Sequence, residues 1–414
     1  MDYGYFGPVE WPLVSTIASV VGVMFMFGRQ IALGAEAFAD LAIEDIRQFL
    51  AWLAQPWLAC VALLVLATVV PNAPLVQALR GTARLDSEIE MARADGYYEQ
   101  LTRSPSESRK PRLSEPPPGW TTFSSSGLVV EVPDYRRRML RPNLDARWNG
   151  TSFRTNALGF RGPAISQEKP PGTFRVVVLG SSNTMGHGVD DEQTYARLLE
   201  RWLADRVGPG RRVEVVNMAV SGDSPTQQLL RLQLDVPALD SDWILSDITA
   251  LDLSLEEQHL RSILDKKIEV PFDFVRDALD QSGVDADDSP EEFHQKFRTY
   301  IKPMLDRAIE GWAAGAKHLG VPLTVVILPR ADSKTESPGL FQLFRDLSDH
   351  HALRYSDLTD AFDRFELDEY RIGPWDHHPN ALGHRLIFSR LRDTLLADAE
   401  FMRVLDGSGL HVMK

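Results

Sequence analysis

The stretch RVVVLGSSNTMGHGV, residues 175–189, joins a run of aliphatic residues to a run of glycines and small hydroxyl side chains. A short apolar run with such an end is typical of a buried strand that leads into a turn. Two adjacent serines, Ser181 and Ser182, directly follow the strand. Three interpretations are open for them: phosphate binding at a helix N-terminus, a nucleophile displayed at the end of a strand, or a tight turn with no further role.

Phosphate binding does not fit the pattern of the glycines. A P-loop places a Lys and then a Ser or Thr after its last glycine, and this stretch contains no Lys. The dinucleotide fingerprint G-x-G-x-x-G does not match GSSNTMGHG either. The nucleophile and the simple turn therefore remain.

Apolar runs alternate with amphipathic segments in the second half of the chain. The predicted strands are residues 175–179, 213–218, 243–248, 323–328 and, more weakly, 353–356. The segment 289–320 predicts a helix with Ser289 as N-cap, Pro290 at the first position and Gly320 after its end, kinked or split by Pro303. Such alternation predicts an α/β fold with a parallel sheet that binds ligands at the carboxyl ends of its strands.

A serine nucleophile needs a histidine base, an acid to orient it and donors for the oxyanion. The segment PWDHHPNALGH, residues 374–384, places Asp376 two residues before His378, in a predicted loop ahead of an apolar helix. An acid and a base therefore lie on one short segment. The alternative interpretation is a metal site, since Asp376, His377, His378 and His384 all carry possible ligand atoms.

Three blocks in this order resemble the SGNH (GDSL-like) hydrolase superfamily, especially its bacterial membrane-attached members, over roughly residues 150–400. GSSNTMGHGVDDEQTYARLLE resembles the first block, VVNMAVSGDSPTQQ the second and PWDHHPNALGHRLI the last. The resemblance implies a three-layer α/β/α sandwich around a parallel, flavodoxin-like sheet. It also implies hydrolysis or transfer of acyl groups, often acetyl groups on carbohydrate, without a cofactor or a metal.

The resemblance also implies roles for particular residues. It makes Ser182 the nucleophile, Asp376 and His378 the rest of the triad, and Gly222 a backbone donor to the oxyanion; a tight turn is the other interpretation of Gly222. The chain departs from the family pattern at three points: Ser181 replaces the Asp of G-D-S, the Asp–His spacing is one shorter than D-x-x-H, and Leu251 stands where the third block has an oxyanion-binding Asn. Asn183 or Asn217 is expected to supply the missing donor.

The N-terminal region has the composition of a membrane segment. Residues 11–28 and 48–79 contain no charged side chain, and the second stretch is long enough to span a bilayer. Acidic residues at helical spacing between them predict an amphipathic helix. The first ten residues lack the basic residues of a signal peptide.

These patterns predict three regions. Residues 1–84 form a membrane region with one or two transmembrane helices and an amphipathic helix, residues 85–150 form a linker and pre-domain, and residues 151–407 form the SGNH-like domain. Arg29 and Arg47 between the apolar stretches favour a periplasmic or extracytoplasmic position for that domain, whereas Arg80 and Arg84 favour the opposite.

Composition restricts the possible functions. The net charge of −14 argues against a nucleic-acid partner, and a single cysteine, Cys60, excludes an intrachain disulfide. The leading hypothesis is a membrane-anchored serine esterase or O-acyltransferase acting on an acylated glycan or lipid. The alternative, motivated by Leu251, is a catalytically impaired relative that serves as a structural or assembly subunit of a membrane protein complex.

Overall fold

The computed structural model describes residues 116–208, 210–331 and 338–407. The predicted membrane region, Cys60 and the first part of the predicted linker lie outside these residues, so their predictions stay as made. Among the described residues, no helix is both long enough and apolar enough to cross a bilayer.

The described chain alternates strands and helices from residue 173 onwards, after two small hairpins. The strands are β1 (Val129–Glu131), β2 (Arg138–Leu140), β3 (Asp145–Trp148), β4 (Thr151–Arg154), β5 (Thr173–Leu179), β6 (Arg212–Asn217), β7 (Trp243–Ile248), β8 (Leu323–Ile327), β9 (Arg354–Asp357), β10 (Arg371–Gly373) and β11 (Asp376–Pro379). The helices are α1 (Ser182–Met185), α2 (Tyr195–Val207), α3 (Pro225–Leu234), α4 (Asp252–Lys266), α5 (Asp273–Ser282), α6 (Pro290–Phe297), α7 (Ile301–Leu319), α8 (Pro338–His350), α9 (Leu367–Tyr370), α10 (Ala381–Ala397) and α11 (Ala399–Leu405). Short 3-10 turns lie at Phe123–Ser125, Asp191–Gln193 and Val236–Leu239.

Within the described residues, β5 to β9 form a five-stranded parallel sheet in the order β6-β5-β7-β8-β9. This is the flavodoxin-like order, in which β5, the first strand of the sheet in sequence, has a neighbour on each side. The predicted parallel sheet is confirmed, and its strands lie where the apolar runs predicted them. The site described below lies where β5 ends.

Helices cover both faces of this sheet. All seven residues of β5 are buried. Val177 and Leu179 pack into the apolar core beneath α3, α4 and α7, whereas Val176 and Val178 pack into the core beneath α2, α10 and α11. Burial of each Val or Leu side chain contributes about 1.5–3 kcal/mol to the stability of the fold. Because successive side chains of β5 point to opposite faces and both faces are buried, the sequence of the strand is a nearly continuous apolar run.

The helix predicted over residues 289–320 is divided into α6 and α7. Ser289 caps α6 by accepting the backbone N–H of Glu292, and Gly320, with a φ of +67°, directly follows the last residue of α7. The division lies before Pro303, which is the third residue of α7. A proline is tolerated there because the first N–H groups of a helix have no partner within it.

The two hairpins before β5 pack over the carboxyl edge of the sheet. β1 pairs with β2 and β3 pairs with β4, both antiparallel. Trp148 and Phe153 form a small apolar cluster with Met185 and Val220, which follow β5 and β6. Residue 150, the predicted end of the linker and pre-domain, lies in the turn between β3 and β4. The segments before and after this position therefore pack together.

Candidate active site

The serine predicted as nucleophile lies at the carboxyl end of β5. Gly180 and Ser181 follow the strand, and Ser182 begins the single-turn helix α1 with 6% of its surface exposed. A Cβ at Gly180 would collide with the carboxylate of Asp247, so only glycine fits there. The turn therefore holds Ser182 at the start of α1, where the backbone N–H groups have no partner within the helix.

Asp376 and His378 lie on β11, which pairs with β10 in an antiparallel hairpin. The segment is a short strand instead of the predicted loop, and its alternation puts both side chains on one face. His378 Nδ1 lies 2.6 Å from Asp376 Oδ1, and the backbone N–H of His378 donates to the same oxygen at 3.1 Å. Since α1 lies against β11, the fold brings the serine turn and the His–Asp pair together.

A second histidine contacts the same carboxylate. His187 Nε2 lies 2.9 Å from Asp376 Oδ2, and its ring stacks on that of His378 with a centroid distance of 3.8 Å and an interplanar angle of 7°. From the sequence, only a structural or substrate-lining role is expected for His187. The available signal was its place between two glycines inside the nucleophile block.

The two imidazoles determine the charge of Asp376. Burial alone would raise its pKa, but the adjacent His187 and His378 outweigh burial and hold the pKa well below the ordinary value of 3.8. Asp376 is therefore an ionised acceptor for both rings.

A second buried carboxylate, Asp247, lies beneath the serine turn. It accepts the backbone N–H of Ser181 at 3.3 Å, the hydroxyl of Thr184, and the side-chain amide of Gln228 at 3.4 Å. Burial raises the pKa of Asp247 to about 7 despite these donors. Its hydrogen bonds tie the turn to the end of β7.

The backbone of Gly222 also lies beside the serine pair. Its N–H donates to Ser181 Oγ at 3.1 Å, and its φ is +83°. The left-handed conformation agrees with the tight-turn interpretation, and the N–H is bound to Ser181 Oγ. The role of Gly222 as an oxyanion donor stays a prediction.

The side chains considered as further oxyanion donors have different environments. Asn217 is held at both ends of its amide, because it donates to the Thr184 carbonyl at 2.7 Å and accepts the N–H of Ala219 at 3.2 Å. Asn183 is the second residue of α1 and is half-buried. Leu251 precedes α4, and its backbone N–H donates to Thr249 Oγ1 at 3.2 Å. Leu251 has no side-chain donor, and the role of Asn183 stays a prediction.

The metal set considered from the sequence is not assembled. Among the described residues, the group with possible ligand atoms near the serine turn consists of His187, Asp376 and His378, whose atoms lie within 4.8 Å of one another. His384 instead lies in the core, where its Nδ1 accepts the N–H of Tyr195 at 3.3 Å and burial lowers its pKa to about 3. The alternative prediction of a metal site formed by Asp376, His377, His378 and His384 is therefore wrong in its choice of residues.

The fold and the site define a class of protein. A parallel sheet in the flavodoxin-like order carries a serine at the start of a helix after its first strand, and a hydrogen-bonded His–Asp pair lies on a strand against that helix. The chain belongs to the GDSL-like lipase/acylhydrolase family, whose family model matches residues 178–386. The protein is therefore an ester hydrolase of the SGNH type, as the resemblance implied.

Several solved structures are similar to the chain. An acetylxylan esterase from Geobacillus stearothermophilus is 13% identical, with 53% of this chain and 93% of that chain covered and a TM-score of 0.35. A psychrotrophic esterase from Pseudoalteromonas sp. is 13% identical, with 54% and 97% covered and a TM-score of 0.35. A two-domain esterase active on acetylated mannans is 15% identical, with 57% and 50% covered and a TM-score of 0.35. No curated protein matches the chain, so the assignment depends on the family match.

Proposed function

We propose that the protein is a serine esterase in which Ser182 attacks the acyl carbonyl, His378 accepts its proton and Asp376 orients His378. The observation that carries this proposal is the 2.6 Å contact of His378 Nδ1 with Asp376 Oδ1, on a strand that lies against the helix of Ser182. A hydroxyl, an imidazole and a carboxylate in this relation are the requirements of acyl transfer through a covalent intermediate.

The carboxylate selects the proton position on the base. Asp376 Oδ1 only accepts hydrogen bonds, so His378 carries its proton on Nδ1 and presents a lone pair at Nε2. Because the pKa of Asp376 is held low, the carboxylate is charged and stabilises the imidazolium that forms when Ser182 loses its proton. The imidazolium gives this proton to the leaving alcohol oxygen as the acyl–oxygen bond breaks, and the acyl group stays on Ser182. Water or an alcohol, deprotonated by His378, then attacks the acyl-enzyme and releases Ser182, which gives hydrolysis or transfer.

Two backbone groups are proposed to bind the oxyanion: the N–H of Ser182, in the first turn of α1, and the N–H of Gly222. Gly222 must redirect its N–H from Ser181 Oγ for this role. Leu251 cannot supply a side-chain donor, so Asn183 is proposed as the third donor; without it, a hole of two donors would be slower than one of three. A single donor is typically worth about 10²–10³ in rate.

The substrate is proposed to be an acylated glycan or lipid, with the enzyme attached to a membrane and facing the extracytoplasmic side. Trp375, next to Asp376, packs edge-on against Trp120 at 6.1 Å, and both are half-buried. Aromatic side chains of this kind offer apolar faces to sugar rings and acyl chains. The charge-free residues 11–28 and 48–79 support the membrane attachment.

The test is labelling of the purified full-length chain with a fluorophosphonate, together with hydrolysis of p-nitrophenyl acetate. We expect the wild type to be labelled and active, and Ser182→Ala to lose both properties. Ser181→Ala is the matched control, because it removes the neighbouring hydroxyl and should still be labelled.

Two results would contradict the proposal. Labelling that persists in Ser182→Ala would place the nucleophile elsewhere. A folded wild type that is neither labelled nor active would favour the impaired assembly subunit, the second candidate, which the absence of a side-chain donor at Leu251 supports.

A further inference from the structure

We propose that His187 is a positioning residue of this site, which holds the second oxygen of Asp376 and supports the ring of His378. The functional unit is then a His–Asp–His cluster instead of a His–Asp pair. The inference extends the proposed function, and it concerns a residue that neither the motif nor the family match assigns.

Each oxygen of the Asp376 carboxylate has an imidazole nitrogen as its hydrogen-bond partner. Oδ1 of Asp376 faces His378 Nδ1 at 2.6 Å, and Oδ2 faces His187 Nε2 at 2.9 Å. All three side chains are at most one-tenth exposed. A buried carboxylate held through one oxygen retains freedom to rotate, whereas hydrogen bonds to both oxygens fix its plane and therefore the direction in which Oδ1 meets His378.

The two imidazole rings also pack against each other. The rings of His187 and His378 are parallel at 3.8 Å, and Trp148 packs edge-on against His187 at 4.4 Å. The backbone N–H of His187 donates to the carbonyl of Ser182 at 3.0 Å. One residue therefore links the helix of the nucleophile to both other members of the triad.

The glycines on either side of His187 determine its direction. Gly186 and Gly188, on either side of His187, have φ values of +89° and +70°. A Cβ at Gly186 would collide with Thr194, and a Cβ at Gly188 would collide with Ile372. Glycine at both positions lets the chain make the tight turn that directs His187 at Asp376.

The protonation of His187 also suits this role. Asp376 only accepts hydrogen bonds, so His187 carries a proton on Nε2. In its neutral form this tautomer makes the bond without placing a second positive charge beside His378, which becomes cationic when it takes the Ser182 proton. Two parallel imidazolium rings would repel each other in a buried site.

Two substitutions separate the hydrogen bond from the ring. His187→Gln keeps an N–H near the position of Nε2 and loses the ring, whereas His187→Phe keeps the ring and loses the N–H. A hydrogen bond to a charged group is worth about ten- to a hundredfold in an equilibrium or rate. We expect His187→Phe to lower kcat by about that factor with KM within about threefold, and His187→Gln to recover kcat to within about fivefold of wild type.

A double-mutant cycle distinguishes positioning from a general effect on folding. In the Asp376→Asn background, His187→Phe should slow fluorophosphonate labelling of Ser182 by no more than about twofold, because its partner is already altered. A structural role would lower the rate by the same factor in both backgrounds. Rates are compared per labelled active site, so that loss of folded protein does not enter.

A readout independent of activity is the imidazole NMR spectrum of the full-length chain labelled with 15N-histidine. We expect a hydrogen-bonded Nε2–H for His187 that disappears in His187→Phe and shifts in Asp376→Asn. A wild type that is not labelled by the fluorophosphonate overturns the proposed function, while this spectrum still tests His187. If the wild type is labelled and active, three results would overturn the inference and leave the proposed function intact. These are a kcat of His187→Phe equal to that of wild type, a kcat of His187→Gln as low as that of His187→Phe, or a proton on Nδ1 of His187.

Discussion

Two buried carboxylates flank the serine turn, and they differ in what faces them. Asp376 meets two imidazoles, which hold its pKa well below the ordinary value. Asp247 meets a backbone N–H, a hydroxyl and an amide, all of them neutral, and burial raises its pKa to about 7. Both are buried, so burial alone does not account for the difference.

The comparison shows that the partners of a buried acid decide its charge. An imidazole can share or take up positive charge, whereas a neutral donor compensates only part of the lost hydration. Asp376 is thereby suited to stabilise charge during a reaction, and Asp247 is suited to hold the turn in place. The following substitutions test this division, from the largest expected effect to the smallest.

Asp376→Asn should cause the largest loss of activity. An amide in place of the carboxylate removes the negative charge and can present an NH₂ group to His378, which favours the wrong tautomer. We expect kcat for p-nitrophenyl acetate to fall by about 10⁴-fold at neutral pH. A loss of less than about tenfold, measured per active site, would show that Asp376 does not orient the base.

Asp247→Asn should affect stability more than activity. One of its carboxylate oxygens becomes an NH₂ group, which then faces the donors at Ser181 and Thr184 or the amide of Gln228. Such a mismatch in a buried site costs about 1–3 kcal/mol of unfolding free energy. We expect the Tm at pH 5 to fall by several degrees and kcat to stay within about tenfold. A loss of kcat as large as that of Asp376→Asn would contradict the division of roles.

The pH dependence of stability should distinguish the two carboxylates. A raised native pKa favours the folded state below the unfolded pKa near 3.8, and this contribution is lost as the pH rises through about 7. The Tm difference between wild type and Asp247→Asn should therefore shrink from pH 5 to pH 8. Asp223 and Glu256, with raised pKa values of about 6 and about 7, are present in both proteins and largely cancel in the difference. Burial and the neighbouring Asp247 raise the pKa of Asp252, so that pKa falls in Asp247→Asn and adds to the shrinking of the difference.

Asp376 has the opposite linkage. Its depressed pKa stabilises the folded state above about pH 3.8, and that contribution is lost as the pH falls towards the lowered native value. The Tm difference between wild type and Asp376→Asn should therefore shrink as the pH falls from about 4 to about 2, a range in which the difference for Asp247→Asn keeps its full size. A Tm difference that stays constant over this range for Asp376→Asn would contradict the assignment.

His377→Ala should have the smallest effect. The alternation of β11 places His377 on the face opposite to Asp376 and His378, although it lies between them in sequence. We expect kcat to stay within about threefold of wild type in the same assay. A tenfold loss would place His377 in the site.

Much of the site could be predicted from local sequence. The apolar run before the serines predicted β5, and a spacing of two residues between Asp376 and His378 is enough for a contact on one face of a strand. The contact of His187 with Asp376 spans 189 residues, so no local pattern could reveal it. Asn217 was a candidate oxyanion donor because it lies in the second sequence block. In the fold its side-chain amide donates to the carbonyl of Thr184 instead.

The sequence by itself determined the alternation of strands and helices, the serine turn and the acid–base segment. Each of these depends on residues that are close in the chain, and hydrophobic periodicity reports on such residues directly. Only the tertiary structure decided that His187 contacts Asp376 and that the pKa values of Asp376 and Asp247 shift in opposite directions. Contacts across the sheet and the desolvation of a side chain depend on how distant segments pack, which sequence spacing does not record.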